Sequence, residues 1–195
     1  INIVYSKILY LTITGNNDVT KGHVSASTDF GTEETEVTLN PTPASGYEFV
    51  EWVVVSGGIE IVDNKFTFGM EDVVIYAVFE SLKGITVTGN QYGTATADMI
   101  DALPGTTITL SATPNQNCKF IEWVVVSGDV EIENNQFVMG EDPVVIRAEF
   151  KPIVNVNVIN DGNGIGNVDV ATGVDGDILN LTSTPNQGYV FKEWI

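Results

Sequence analysis

Hydrophobic and polar residues alternate along most of this chain in short bursts, and the bursts come back. In EVTLNPTP (Glu36 to Pro43) the apolar Val37 and Leu39 alternate with polar neighbours. Ile108 and Leu110 do the same in TITLSATP, and Ile178 and Leu181 do so more loosely in ILNLTSTP. Tyr47 with Phe49, Cys118 with Phe120 and Tyr189 with Phe191 each fall on one face at a period of two. Runs of this length, rich in Val, Ile, Thr and aromatics and separated by Gly, Asn, Asp and Pro, read as β-strands. No segment sustains a 3.6-residue period over three turns. ADMIDALPG (Ala97 to Gly105) is the one candidate for a helical turn, stopped by Pro104. The pattern predicts an all-β protein.

The bursts are also periodic. PASGYEFVEW (Pro43 to Trp52), PNQNCKFIEW (Pro114 to Trp123) and PNQGYVFKEW (Pro185 to Trp194) share one pattern, P-x-x-G-Y-x-F-x-E-W. Their tryptophans are evenly spaced, 123 − 52 = 71 and 194 − 123 = 71. A fixed interval of that length means a small domain copied in tandem. The expected organisation is a closing strand of a preceding repeat at 1–6, repeat one at 8–80, repeat two at 82–151 and a C-terminally incomplete repeat three at 153–195. INIVYS (Ile1 to Ser6) resembles IYAVFE (Ile75 to Glu80), the strand that ends repeat one. LTIT at Leu11 and ITVT at Ile85 are 74 apart, so repeat one holds three extra residues, placed in NNDVTK before Gly22 and expected in an exposed turn. The joints Ser81 to Gly84 and Lys151 to Pro152 are short and restrict the angles between repeats.

Within each repeat, Asp63-Asn64 and Asn134-Asn135 read as tight turns. Strict alternation sends Trp52 to the face opposite Phe49. Either both faces are covered near the tryptophan or a bulge resets the phase. Trp52 and Trp123 are expected to be mostly buried, anchoring the core with Phe49, Phe120, Phe66 and Phe137.

Charge changes the picture of partners. Among 195 residues, 26 are acidic and 8 basic, a net charge of −18. Such a chain repels phosphate backbones and anionic bilayers, which excludes nucleic acid and membrane surfaces as natural partners. No apolar run of about 20 residues is present to span a membrane. Cys118, the single cysteine, has no disulfide mate and replaces the tyrosine of Tyr47 and Tyr189, as a small apolar residue would. His23 is equally alone, so no His/Cys metal cluster can assemble. With no signal peptide and Ile1 at its start, the sequence reads as an excerpt of a longer protein.

Candidate chemistry adds little. Glu51, Glu122 and Glu193 recur beside the tryptophans, but a glycosidase needs two convergent carboxylates and a substrate cleft in every repeat. Capping of backbone N–H groups at a sheet edge fits them better. MEDV (Met70 to Val73), GEDP (Gly140 to Pro143), NDGNG (Asn160 to Gly164) and GVDGD (Gly173 to Asp177) place oxygens in loops, so structural calcium is the one cofactor worth considering. None matches the EF-hand pattern. No lysine recurs to support a Lys–Asn cross-link, since Lys65 aligns with Gln136 and Lys119 with Glu48. Asn180-Leu181-Thr182 fits the glycosylation pattern. No residue is assigned as catalytic, cofactor-binding or metal-binding.

ITVTGN, then VTL-x-x-TP, G-Y-x-F-x-E-W, S-G, N-x-F-T-M/F and V-x-A-x-F, in that order, resemble the divergent internalin-type B repeats of bacterial surface proteins. The likeness covers nearly the whole chain, with Asn117-Cys118 replacing Gly-Tyr in repeat two and loosening that turn signal. It implies a non-enzymatic, extracellular or cell-wall-attached bacterial array acting as stalk, spacer or adhesive module. Its expected partners are neighbouring repeats of the same chain. A glycan- or host-protein-binding module using loop residues is the alternative. Head-to-tail self-association, with Ile1 to Ser6 of one copy pairing into repeat three of the next, is a further expectation.

Overall fold

The computed structural model describes residues 1–15 and 20–195. The chain divides into two compact units, Ile1–Lys83 with Asp101–Thr106, and Gly84–Ile100 with Thr107–Ile195. Every regular element among the described residues is a strand.

Repeat one contains β1 (Leu9–Gly15), β2 (Gly22–Ala26), β3 (Phe30–Gly31), β4 (Glu36–Pro43), β5 (Tyr47–Ser56), β6 (Lys65–Thr67) and β7 (Val73–Ser81). They form a four-stranded sheet in the order β3-β1-β7-β5 and a three-stranded sheet in the order β2-β4-β6. β7 is the organising strand. On one side it pairs in parallel with β1, from Leu11↔Val73 to Gly15↔Ala77, and on the other it pairs antiparallel with β5. A parallel pair needs a long crossover, and here the crossover is the rest of the repeat.

Alternation along β7 buries Val73, Ile75, Ala77 and Phe79, while Val74, Tyr76 and Val78 between them remain half-buried. Leu9 and Leu11 of β1, Val37 and Leu39 of β4, Phe66 of β6 and the following Phe68 complete one cluster with Val73 and Ile75. That cluster draws on both sheets, which is why the period-two pattern recurs in each of them. At about 25 cal/mol per Å2, burying side chains of this size is worth roughly 1.5–3 kcal/mol apiece. No polar side chain is buried among the described residues.

Repeat two rebuilds this arrangement from β8 (Lys83–Thr88), β9 (Gly93–Ala97), β10 (Asp101–Ala102), β11 (Thr107–Pro114), β12 (Cys118–Ser127), β13 (Gln136–Val138) and β14 (Val144–Pro152). β14 again pairs in parallel with β8 and antiparallel with β12, and β11 lies between β9 and β13. Ile108, Leu110, Phe137, Val144, Ile146, Ala148 and Phe150 are buried. Gly22 and Gly93, 71 residues apart, have a packing reason to recur. A Cβ at Gly22 would lie 2.7 Å from the Phe79 ring and one at Gly93 2.6 Å from the Phe150 ring, so only glycine lets the ring lie flat on the strand.

Repeat three contains β15 (Val154–Asn155), β16 (Gly164–Val168), β17 (Thr172–Gly173) and β18 (Leu181–Pro185). β15 pairs with β17 and β16 with β18. Its described part holds no counterpart of β7 or β14, and Tyr189, Phe191 and Trp194 remain exposed at 55%, 45% and 43%.

Two expectations are corrected. Ala97 to Gly105 forms no helical turn: Ala102 is buried in the short strand β10, and the Asp98 carboxylate accepts the Thr109 N–H at 2.9 Å instead of opening a helix. Residues 1–6 pair with no strand of the described residues, and Ile1, Ile3 and Tyr5 are exposed. ILNLTSTP pairs only from Leu181 onward. The three-residue insertion falls largely on residues 16–19, outside the described residues. The joints are tighter than expected, with one residue, Leu82 or Ile153, between successive strands. Each joint is pinned to the turn of the repeat before it, Leu82 N–H donating to Gly46 O and Ile153 N–H to Asn117 O, both at 2.8 Å.

Candidate functional site

The recurring aromatic strand, β5 and β12, is the candidate surface. Its entry is a tight turn in which Tyr47 N–H donates to Ala44 O and Cys118 N–H to Asn115 O, both at 3.0 Å. Gly46 takes a φ of 80° there, and Asn117 takes 57° in its place. Asparagine tolerates the left-handed region better than other side chains, so repeat two keeps the turn with Asn117 in the place of glycine.

A bulge then resets the alternation. Phe49 pairs with Phe79 but Glu51 with Val78, so Val50 is the extra residue; Ile121 repeats this between Phe120 and Glu122. Phe49 and Trp52 therefore share a face, their ring centroids 5.2 Å apart, and Phe120 with Trp123 and Phe191 with Trp194 repeat the contact at 5.1 Å. Phe79 meets Phe49 edge-on at 5.9 Å and Phe150 meets Phe120 at 5.6 Å, within the range where aromatic pairs attract.

Each indole is also tied down at its polar end. Trp52 Nε1–H donates to Asn64 Oδ1 at 2.7 Å and Trp123 Nε1–H to Asn135 Oδ1 at 2.8 Å. Asn64 and Asn135 are the second residues of the expected tight turns, at φ of 59° and 60°, and their carbonyls accept the N–H of Leu39 and Leu110. One asparagine thus closes a hairpin, joins it to β4 or β11 and orients the tryptophan. Its recurrence 12 residues after Trp52 and after Trp123 was a signal the sequence carried and the reading of turns alone passed over.

The burial expectation is corrected in part. Phe66 and Phe137 are buried, but Phe49, Phe120, Trp52 and Trp123 are half-buried. β5 and β12 end their sheets, so no further strand covers the outer flank of each ring, and the indole N–H needs a partner near the surface.

Glu51, Glu122 and Glu193 all lie exposed. Glu122 stands across from Glu149, but Glu149 is held by Arg147 and by Asn90 Nδ2, the latter at 3.1 Å. In repeat one the residue across from Glu51 is Val78, so the carboxylate pair does not recur. Glu193 is beside Lys192 at 3.1 Å.

Several of the acidic-loop carboxylates accept backbone N–H bonds. Asp72 Oδ1 accepts Tyr10 N–H at 3.0 Å, and Asp177 Oδ2 accepts Val174 N–H at 2.9 Å. Asp161 accepts the backbone N–H of Asn163 and then its side-chain amide, which together hold its carboxyl below the usual range. Asp169 is lowered likewise by the Asn180 side chain and backbone. Among the described residues no three His, Cys, Asp or Glu side chains group to hold a metal ion. Asn180 of the glycosylation tripeptide is thus bonded to Asp169. Lys65 sits 3.0 Å from Glu36, His23 is exposed, and the Cys118 thiol is free and half-buried beside Gln116 O. A cleft of about 630 Å3 is bordered by Thr107, Asp129, Glu131, Glu133 and Gln136.

The model of one family, the divergent InlB B-repeat domain, matches residues 11–83, 84–154 and 154–195. Comparison with curated proteins and with solved structures returns no match. With three successive matches spanning the sequence from residue 11 to 195, the chain belongs to the divergent InlB B-repeat family.

Proposed function

We propose that this chain is a structural and adhesive segment of a bacterial extracellular or cell-surface protein, serving as stalk or spacer and not as an enzyme. The chain is a tandem B-repeat array, and the family is one associated with bacterial surface proteins and is typically non-enzymatic. The observation that carries the reading is the repetition itself. Parallel β1·β7 and β8·β14 pairs, bulged aromatic edge strands and Trp–Asn ties are each built twice in the same register. The test is to place the chain between a cell-surface anchor and an epitope tag. The stalk reading expects antibody access to fall when repeat two is removed and to recover when repeat one is duplicated in its place. Unchanged access after removal overturns it.

A second reading, glycan or host-protein binding, draws on the half-buried tryptophans of the edge strands. It expects soluble polysaccharide or host protein to quench tryptophan fluorescence in the chain and not in Trp52→Phe/Trp123→Phe. The Nε1–H bonds to Asn64 and Asn135 favour the structural reading, because they turn the polar edge of each ring inward to a hairpin of its own repeat.

A further inference from the structure

The charged residues at the end of each edge strand have been left without a role. In repeat one Glu48 of β5 stands directly across from Glu80 of β7. At the equivalent place 71 residues on, Lys119 of β12 stands directly across from Lys151 of β14. Like charges in register destabilise a sheet. Two such pairs of opposite sign at one position call for partners outside the sheet.

Repeat three shows what partner the lysine pair takes. Its loop Gly173 to Asp177 (GVDGD) lies against the end of repeat two, with Lys151 Nζ donating to the Asp175 carbonyl at 2.7 Å. Lys119, Phe120 and Lys151 line one wall of a cleft of about 320 Å3 whose other wall is Val174, Asp175, Gly176 and Asp177. The loop is shaped by its own bonds, Asp177 N–H to Val174 O and Val174 N–H to the Asp177 carboxylate. Gly176 takes a φ of 98°, and a Cβ built on it would lie 3.8 Å from Lys151 Nζ. The matching loop of repeat two is Ala102 to Thr106 (ALPGT). Between Ala102 and Thr106 that loop has no charge, and the pair at the end of repeat one is acidic.

We propose that this loop is the docking element by which repeat three seats on repeat two, and that the residue pair at the end of the edge strand selects the loop by charge. A lysine pair takes an acidic loop such as GVDGD. The corresponding loop of repeat one, Gly31 to Thr35 (GTEET), carries Glu33 and Glu34. The partner it fits is therefore a B-repeat end bearing a basic pair.

The proposal rests on the array reading but is separately testable. Residual dipolar couplings on the whole chain measure whether repeats two and three tumble as one body. The wild type is expected to fit one alignment tensor across both. Lys119→Glu/Lys151→Glu is expected to need two tensors, with the amide shifts of β8 and β11 unchanged to show that repeat two stays folded. Adding Asp175→Lys to that variant is expected to restore the single tensor. A single tensor in the lysine-reversed variant, or failure of Asp175→Lys to restore it, overturns the selection rule. Two tensors in the wild type overturn the docking itself, and either result leaves the stalk reading to its own test.

Discussion

Asn135 carries three roles at one position, and two substitutions separate them. Asn135→Gly keeps a residue that adopts the left-handed turn but loses the indole partner, and the expected cost is about 1 kcal/mol. Asn135→Ala loses the partner and also forces a Cβ into the φ of 60° held there, adding about 1–2 kcal/mol. Urea denaturation of both variants measures the difference. Equal stabilities for Ala and Gly would mean that the turn geometry contributes nothing. The same bond makes Trp123 a ring fixed at a sheet edge rather than a core anchor, and sequence reasoning missed this. A tryptophan among Tyr, Phe and Val looks like core by composition, and only the sheet order shows that its strand has one neighbour.

At the scale of elements, a fully buried ring and a half-buried edge-strand ring are predicted to differ in what they contribute. Phe137→Ala removes a ring that is 2% exposed, and a loss of about 3–5 kcal/mol is expected. Trp123→Ala removes a larger but half-buried ring, and the expected loss is smaller, about 1–3 kcal/mol. Thermal or urea melts of the pair check the order; a larger loss at Trp123 would return the tryptophan to the core. Much of this scale was readable in advance. Val37 and Leu39 marked β4 to the residue, Asp63-Asn64 marked its hairpin, and the phase conflict at Trp52 marked a bulge as one of two outcomes. The parallel pairing of β1 with β7 was not readable, because alternation reports which face is buried and not which distant strand lies alongside. Ala97 to Gly105 misled for a related reason. Its local helix preference is outweighed by the burial of Ala102 in the sheet. The joint residues Leu82 and Ile153 gave no local sign of the bonds that pin them to the preceding turn.

For the whole molecule, 26 acidic residues against 8 basic set the response to ions. Added salt is expected to raise the melting temperature by screening self-repulsion. Calcium at matched ionic strength is expected to do no more than sodium chloride, since the loop carboxylates of Asp72, Asp161, Asp169 and Asp177 already accept backbone N–H bonds. Stabilisation by micromolar to millimolar calcium well beyond the sodium control would establish a bound ion. Separate cores joined by a single residue also predict how the array yields to load. Force applied along β1 and β7, or β8 and β14, must break parallel pairs at the middle of a sheet, and each repeat is expected to resist until its own sheet fails. Single-molecule pulling of the whole chain from its ends is the most direct test. Each complete repeat is expected to open in its own event, releasing roughly 240 Å of contour at about 3.4 Å per residue for the 71-residue interval. Smooth extension with no separate events, or one event of twice that length, would contradict an array of individually load-bearing repeats.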